Sequence, residues 1–459
     1  MSMWRTMARR LWNRPPAAAR PKRARLGLES LEVREVPASY YWAGTGTTGQ
    51  ADVAANWTNG SGGAAHTSMP DSDDDLTFPS ANNTTAIFDT DIGGTFRTIT
   101  STGRSATKAV FNHAVEFLED GNTFNDTTVK FDNGATFRGD VVIDGYTDFL
   151  DDGSGANTVL FDTGVFVSVL DSVGFAGDVA NEGTVSFVDT SEIDLFDGDN
   201  KFYNYGVVYL TGQGTWHNDD GDTDHNIVIG SGGSIQKEDS GTWLIQVGIF
   251  MESGSISIVE GTLALSGGYS GNSTDAIHAD WNEWASLPTI TLYDTILQVD
   301  GHHVTMYDGV FEALGGGTYR STVANYGNLY LQDSVIGFGD QVTDCNNVFL
   351  MTNSSASPAT GCQLHMSDSV IEIGLDWNTG GAPFCDKVVA NRMFLGYGDI
   401  TVSVVRELNR PNPLENSWEC WAISLAYNDN VVTQISYPSG AGLSYRWDSS
   451  TYTFEIYRT

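Results

Sequence analysis

The sequence predicts an all-β protein built as a right-handed parallel β-solenoid, and three observations predict it. After Ala38 the helical period is almost absent, and short β-rich runs recur between clusters of Gly, Asn, Asp and Ser: Val165 to Leu170, Thr184 to Val188, Val207 to Leu210, Ile256 to Val259, Thr262 to Leu265. Phrases repeat. Phe131-Asp132-Asn133-Gly134-Ala135 aligns with Phe161-Asp162-Thr163-Gly164-Val165, and Asn181-Glu182-Gly183-Thr184-Val185 with Asn204-Tyr205-Gly206-Val207-Val208, Val259-Glu260-Gly261-Thr262-Leu263 and Asn325-Tyr326-Gly327-Asn328-Leu329. A third phrase begins at Leu292, Leu331 and Met366 and carries Asp294-Thr295, Asp333-Ser334 and Asp368-Ser369. Finally, Gly134, Gly164, Gly183, Gly206, Gly232 and Gly254 open successive runs at steps of 30, 19, 23, 26 and 22 residues, about the length of one solenoid coil.

In such a coil each strand pairs with its equivalents roughly 4.8 Å above and below, and Gly and Asn turn the corners where positive φ is needed. Alternate residues such as Val185, Phe187, Val208 and Leu210 then face a long thin core. The competing reading is antiparallel, a β-sandwich or propeller, because seven Asp-Gly and two Asn-Gly pairs suit tight hairpins. Most of these pairs sit in longer polar stretches such as Asp151 to Asn157, which fit solenoid corners better.

Taken in order, residues 1–38 form a basic segment, with nine Lys or Arg against three Glu up to Pro37. It has no apolar stretch of the kind a secretory signal needs. Its distinctive run is Arg25-Leu26-Gly27-Leu28-Glu29-Ser30-Leu31-Glu32-Val33-Arg34-Glu35-Val36-Pro37-Ala38. This resembles the R-x-L-x-L-E-x-L-E-x-R-x-x-P-A segment that opens many surface or secreted proteins of planctomycete-type bacteria, a relative of their LEPR-x-L-L motif. Val33 and Glu35-Val36 depart from the strict form. The resemblance implies export to the bacterial envelope or exterior, with Arg25, Leu26, Leu28, Glu29, Leu31, Glu32, Arg34, Pro37 and Ala38 as the motif residues and processing near Val36-Pro37-Ala38. The bland alternative is an amphipathic helix in a basic arm.

Residues 39–110 read as an N-terminal cap with the first coils. Trp42-Ala43-Gly44, Asn56-Trp57 and Pro70-Asp71 to Phe78 resemble the opening of bacterial exported β-helix and autotransporter-passenger-like proteins, which implies tryptophans covering the first coil. Residues 111–405 are the solenoid body. Pro411 and Pro413 then interrupt the pattern, and residues 406–459 form a C-terminal β cap or small β-domain. Cys345, Cys362, Cys385 and Cys420 permit two disulfides in three pairings, or four thiols, and their spacing matches no zinc signature.

Charge bounds the partners. The net charge is −35, and the body after Pro37 holds 14 basic against 55 acidic residues. Such a body repels phosphate backbones and anionic lipid, so nucleic acid is excluded as a partner and glycans or other surface proteins fit better. No run approaches the roughly 20 apolar residues of a membrane helix; the best, Leu244 to Met251, contains Gln246. Asp219, Asp220, Asp222 and Asp224 lie in the strongest polar run and offer the hard oxygens that suit Ca²⁺, although no frame works as an EF-hand; the alternative is a solvated corner. Asp71, Asp73, Asp74 and Asp75 form a second, weaker candidate. Aspartates stacked about 4.8 Å apart repel by roughly 0.9 kcal/mol per pair in water, which calls for bridging ions or outward splay.

Chemistry is poorly signalled. Gly301-His302-His303 is the nearest approach to the galacturonan-hydrolase phrases and lacks their trailing Gly and Arg-Ile-Lys, and no nucleophile elbow, zinc helix or phosphate loop occurs. No catalytic residue is assigned. Tyr203, Tyr205, Tyr209, Tyr326 and Tyr330 are candidates for stacking on sugars, against the alternative that they pack within the coils. The function expected is an exported, non-catalytic structural or adhesive cell-surface protein. The alternative is a polysaccharide-active β-helix enzyme, a lyase or glycoside hydrolase, signalled by two carboxylates meeting an Arg or Lys.

Overall fold

The structure, a computed structural model, describes residues 37–458 with interruptions, chief among them 151–157, 218–225, 268–274, 281–286, 322–327, 339–347, 354–362, 377–383 and 409–418. Ala38–Thr459 forms one compact unit, described below.

Each coil contributes three strands, and each strand pairs in parallel with the third before it and the third after it. Thr184–Phe187, Glu192–Leu195 and Lys201–Asn204 make one coil, and Val207–Leu210 starts the next by pairing with Thr184–Phe187. Three parallel ladders result, and the long strand Lys387–Leu395 belongs to both the second and the third. The chain is therefore a parallel β-solenoid. Among the described strands, antiparallel pairing is confined to three places: Tyr41 against Thr58 at the start, Leu375 against Cys385 in a side excursion, and the C-terminal strands Glu419–Asn428, Leu443–Asp448 and Thr453–Arg458.

The coil is not of fixed length. In the first ladder, paired residues are separated by 18 positions at Val167 and Val185 but by 35 at Val335 and Val370. The ladder constrains only the strands, so extra residues are absorbed at corners. Gly164, Gly183, Gly206 and Gly254 precede strands of the first ladder, at the same corner of the coil, and Gly233 rather than Gly232 abuts the strand between them. Gly134 instead precedes Ala135–Phe137 in the third ladder, so the first step of the series joins different corners. The Phe131 and Phe161 phrases are likewise not coil equivalents: Phe131 pairs with Phe111 in the second ladder, Phe161 with Phe137 in the third. Asp333 and Asp368 do share a corner, and their companion one coil earlier is Asp308, all three at positive φ.

The inner faces form columns. Val167, Val185, Val208, Ile235, Ile256 and Ile290 succeed one another in register, all buried. Early coils are filled with phenylalanine: Phe88, Phe111, Phe131, Phe149 and Phe175 form a stacked series with centroids 4.4 to 5.9 Å apart. The parallel rise of about 4.8 Å suits offset ring stacking, so identical rings on successive coils reinforce each other. At the N-terminal end Trp57, fully buried, meets Trp42, Tyr40 and Phe78 and donates its indole N–H to the Ala51 carbonyl at 2.8 Å.

Several buried polar side chains interrupt the columns, among them Asn181, Asn204 and Lys237, which are satisfied by neighbours. Asn181 donates its amide to Asn204 Oδ1 on the next coil at 2.9 Å, and Asn204 donates to the Ser234 carbonyl at 2.9 Å. Each amide thus fills the demand of its neighbour. Lys237 stands in the column between Leu210 and Ile258 with its side chain fully buried. Its ammonium curls out to the carbonyl and carboxylate of Asp239.

Candidate functional site

Asp219, Asp220, Asp222 and Asp224 fall in 218–225, outside the described residues, as do the motif residues Arg25, Leu26, Leu28, Glu29, Leu31, Glu32 and Arg34. Pro37 is exposed, and Ala38 is the first residue tied into the solenoid, its N–H donated to Asp74 Oδ1 at 3.1 Å. The Asp71 to Asp75 run is a locked turn. Asp74 also accepts the Asp71 N–H at 2.8 Å, Asp71 accepts the Asp73 N–H, and Asp75 is ion-paired with Arg97. Burial pushes the Asp74 carboxyl up despite those two backbone donors. Among the described residues no group of three or more His, Cys, Asp or Glu is placed to hold a metal ion.

What the fold assembles is a column of rings on the outer face of the third ladder. Strand parity turns every second residue outward. In register on successive coils stand Ala180, Tyr203, Val228, Phe250, His278, Thr305, Tyr330 and His365, an uncharged series in a strongly acidic protein. Phe250 stacks on His278 and Tyr330 on His365, with the latter centroids 4.4 Å apart.

The far end of this face is a hydrogen-bonded network across three coils. Asn328, buried, donates its backbone N–H to His303 Nδ1 at 3.2 Å and its amide to the Tyr330 hydroxyl at 3.2 Å, and accepts the Gln363 N–H at 3.1 Å. The Gln363 side-chain carbonyl lies 3.2 Å from His365 Nε2. Burial, aided by the nearby His303, pushes the His365 imidazole down to about 4, so it is neutral at physiological pH. These rings spend their faces on one another and present edges to solvent.

Nearer the middle the arrangement differs. Glu182, Tyr205, Gly230 and Glu252 each follow directly on the third-ladder residues Asn181, Asn204, Ile229 and Met251, which pair in register. They therefore form one corner column on four successive coils. Tyr205 is 44% exposed, and a Cβ at Gly230 would lie 2.4 Å from its Cε1. The ring thus rests on backbone that has no side chain. Partial burial, then the charges of Glu252 and Glu182, push the Tyr205 phenol up; burial, then Asp178, Tyr205 and Glu252, do the same for Tyr203.

Arginines answer the stacking of carboxylates. Arg138 reaches Glu116 at 3.4 Å and Asp162 at 2.9 Å, from the coils before and after its own, and Arg97 pairs with Asp75 and approaches Glu119 at 3.8 Å. All are partly exposed; Asp75 and Glu116 lie in strands, and Arg138 and Asp162 each directly follow one. Cys385 is disulfide-bonded.

Sequence reasoning found Tyr203, Tyr205 and Tyr330, touched His303 only in the incomplete Gly301-His302-His303 phrase, and missed Phe250, His278 and His365. The missed residues share no phrase, and only the register aligns them. Comparison with known protein families, curated proteins and solved structures finds no match.

Proposed function

We propose that this chain is an exported, non-catalytic structural or adhesive protein of the bacterial cell surface, whose solenoid presents the third-ladder face to glycans or neighbouring surface proteins. The observation that carries the reading is the outer column from Tyr203 to His365, uncharged and ring-rich on a rigid scaffold of a protein with net charge −35. A continuous parallel ladder is a stiff spacer, and rings with polar tips are suited to recognition. Export is supported by the Cys385 disulfide, since such bonds persist in oxidising compartments, and by the resemblance of the Arg25 to Ala38 run to envelope-protein openings. The test is to express the full chain in a bacterium with an epitope at the C-terminus and ask whether intact cells are labelled and lose the label to external protease. Label confined to the cytoplasm overturns the reading.

A second reading, a polysaccharide lyase or glycoside hydrolase, is favoured by Arg138 between Glu116 and Asp162. Its weakness is that both carboxylates already serve as ion-pair partners of the one arginine, with Glu116 in the strand Val115–Phe117 and all three side chains partly exposed. Release of reducing ends or unsaturated sugars from a polysaccharide panel, with and without calcium and lost in Arg138→Gln, would establish it over the first.

A further inference from the structure

We propose that Tyr205, seated on Gly230 and flanked along the axis by Glu182 and Glu252, is the binding platform for an uncharged polysaccharide chain. The inference rests on the surface-adhesion reading and names its ligand class. Among the rings of this face, those at His278, Tyr330 and His365 are stacked on neighbours. Tyr205 has one face against the glycine backbone and almost half its surface open to solvent. What sets Tyr205 apart from other exposed rings such as Phe166 and Tyr293 is this backbone seat together with the carboxylates along its axis.

The geometry defines what would sit there. The C–H face of a pyranose stacks on a flat ring, while hydroxyls need acceptors at its rim. Glu182 and Glu252 supply them, one coil before Tyr205 and two coils after, with Glu182 also accepting from Thr163 Oγ1 at 3.3 Å. Coils about 4.8 Å apart spread these acceptors over roughly three rungs, the span of more than one sugar, so a chain lying along the solenoid axis engages them better than a monosaccharide. Anionic polysaccharides are disfavoured because Asp178, Glu182 and Glu252 all surround the platform and the protein is strongly acidic.

The experiment uses the purified full chain and hexasaccharides of cellulose, chitin and mannan, with oligogalacturonate as the anionic probe, followed by calorimetry. At least one neutral hexasaccharide should bind and oligogalacturonate should not. Tyr205→Ala should weaken binding by about tenfold or more while Tyr205→Phe, which keeps the ring, stays close to the parent. Gly230→Ala should weaken it similarly although the tyrosine remains, because the new methyl displaces the ring from its seat. Near-ultraviolet circular dichroism of each variant confirms folding. Binding of none of the neutral probes, preference for the anionic one, or undiminished binding in Tyr205→Ala overturns the platform. Cell labelling reports separately on export, so a glycan-binding protein that never reaches the surface would sink the adhesion reading and leave the platform standing.

Discussion

His365 shows how a single outward side chain becomes conditional on its neighbours. Its imidazole, held down to about 4 by burial and by His303, is neutral in the fold, whereas in the unfolded chain it titrates near 6.5. The unfolded state therefore binds more protons between these values, and the stability His365 contributes at neutral pH is lost as pH falls from 6.5 toward 4. His365→Phe, which keeps the stack on Tyr330, should flatten that part of the profile; urea titrations at about pH 7 and about pH 4.5 for parent and variant check it. Lys237 poses the opposite problem, a cation within an aliphatic column. Burial opposes ionisation of Asp239, but hydrogen bonds from Lys237 and from the Gly212 and Gly241 N–H groups prevail and hold its carboxyl below the ordinary value. Asp239→Ala should cost about 1.5–3 kcal/mol by stripping that ammonium of its charged partner, while Lys237→Met should be neutral or stabilising. Equal losses in both variants, measured by denaturant unfolding, would refute this account.

Among elements, the corner preceding each first-ladder strand decides how closely coils approach. A Cβ at Gly206 would stand 2.0 Å from the Gly183 carbonyl oxygen, and one at Gly183 2.3 Å from the Val165 carbonyl. These are backbone obstacles that cannot rotate away. Gly164 has φ +88° but open space, so its requirement is conformational only. Gly164→Ala should therefore cost about 1–2 kcal/mol for the left-handed backbone, and Gly206→Ala at least about 3 kcal/mol because two coils must part. Thermal melts of the two variants separate the effects, and equal shifts would show that the corner yields. The sequence revealed the glycines but not this distinction. Their spacing is visible in one dimension, whereas the clash belongs to the axial contact between coils.

For the whole molecule, charge acts on a stack held by nearest-neighbour contacts. With a net charge of −35 and only a few arginine bridges such as Arg138, the body should gain stability as salt screens the acidic corners. We expect the melting temperature to rise between about 10 mM and about 500 mM NaCl, where the Debye length falls from about 30 Å to a few ångströms. Calcium at matched ionic strength should exceed this rise only if a cation is bound in a site, and a melt indifferent to salt would mean the corner charges splay without strain.

By itself the sequence determined the parallel solenoid, the inward columns from Val185 and Phe187 to Val208 and Leu210, and tyrosines worth suspecting, because alternation and glycine-opened strands are local properties carried by each short phrase. Which phrases are true coil equivalents, that His303, Asn328, Tyr330 and His365 meet, and that Tyr205 rests on Gly230, only the tertiary structure decided. The reason is that coils whose paired residues lie from 18 positions apart at Val167 and Val185 to 39 at Val348 and Lys387 carry no constant period, so neighbours along the axis are set by hydrogen-bond register rather than by distance in the chain.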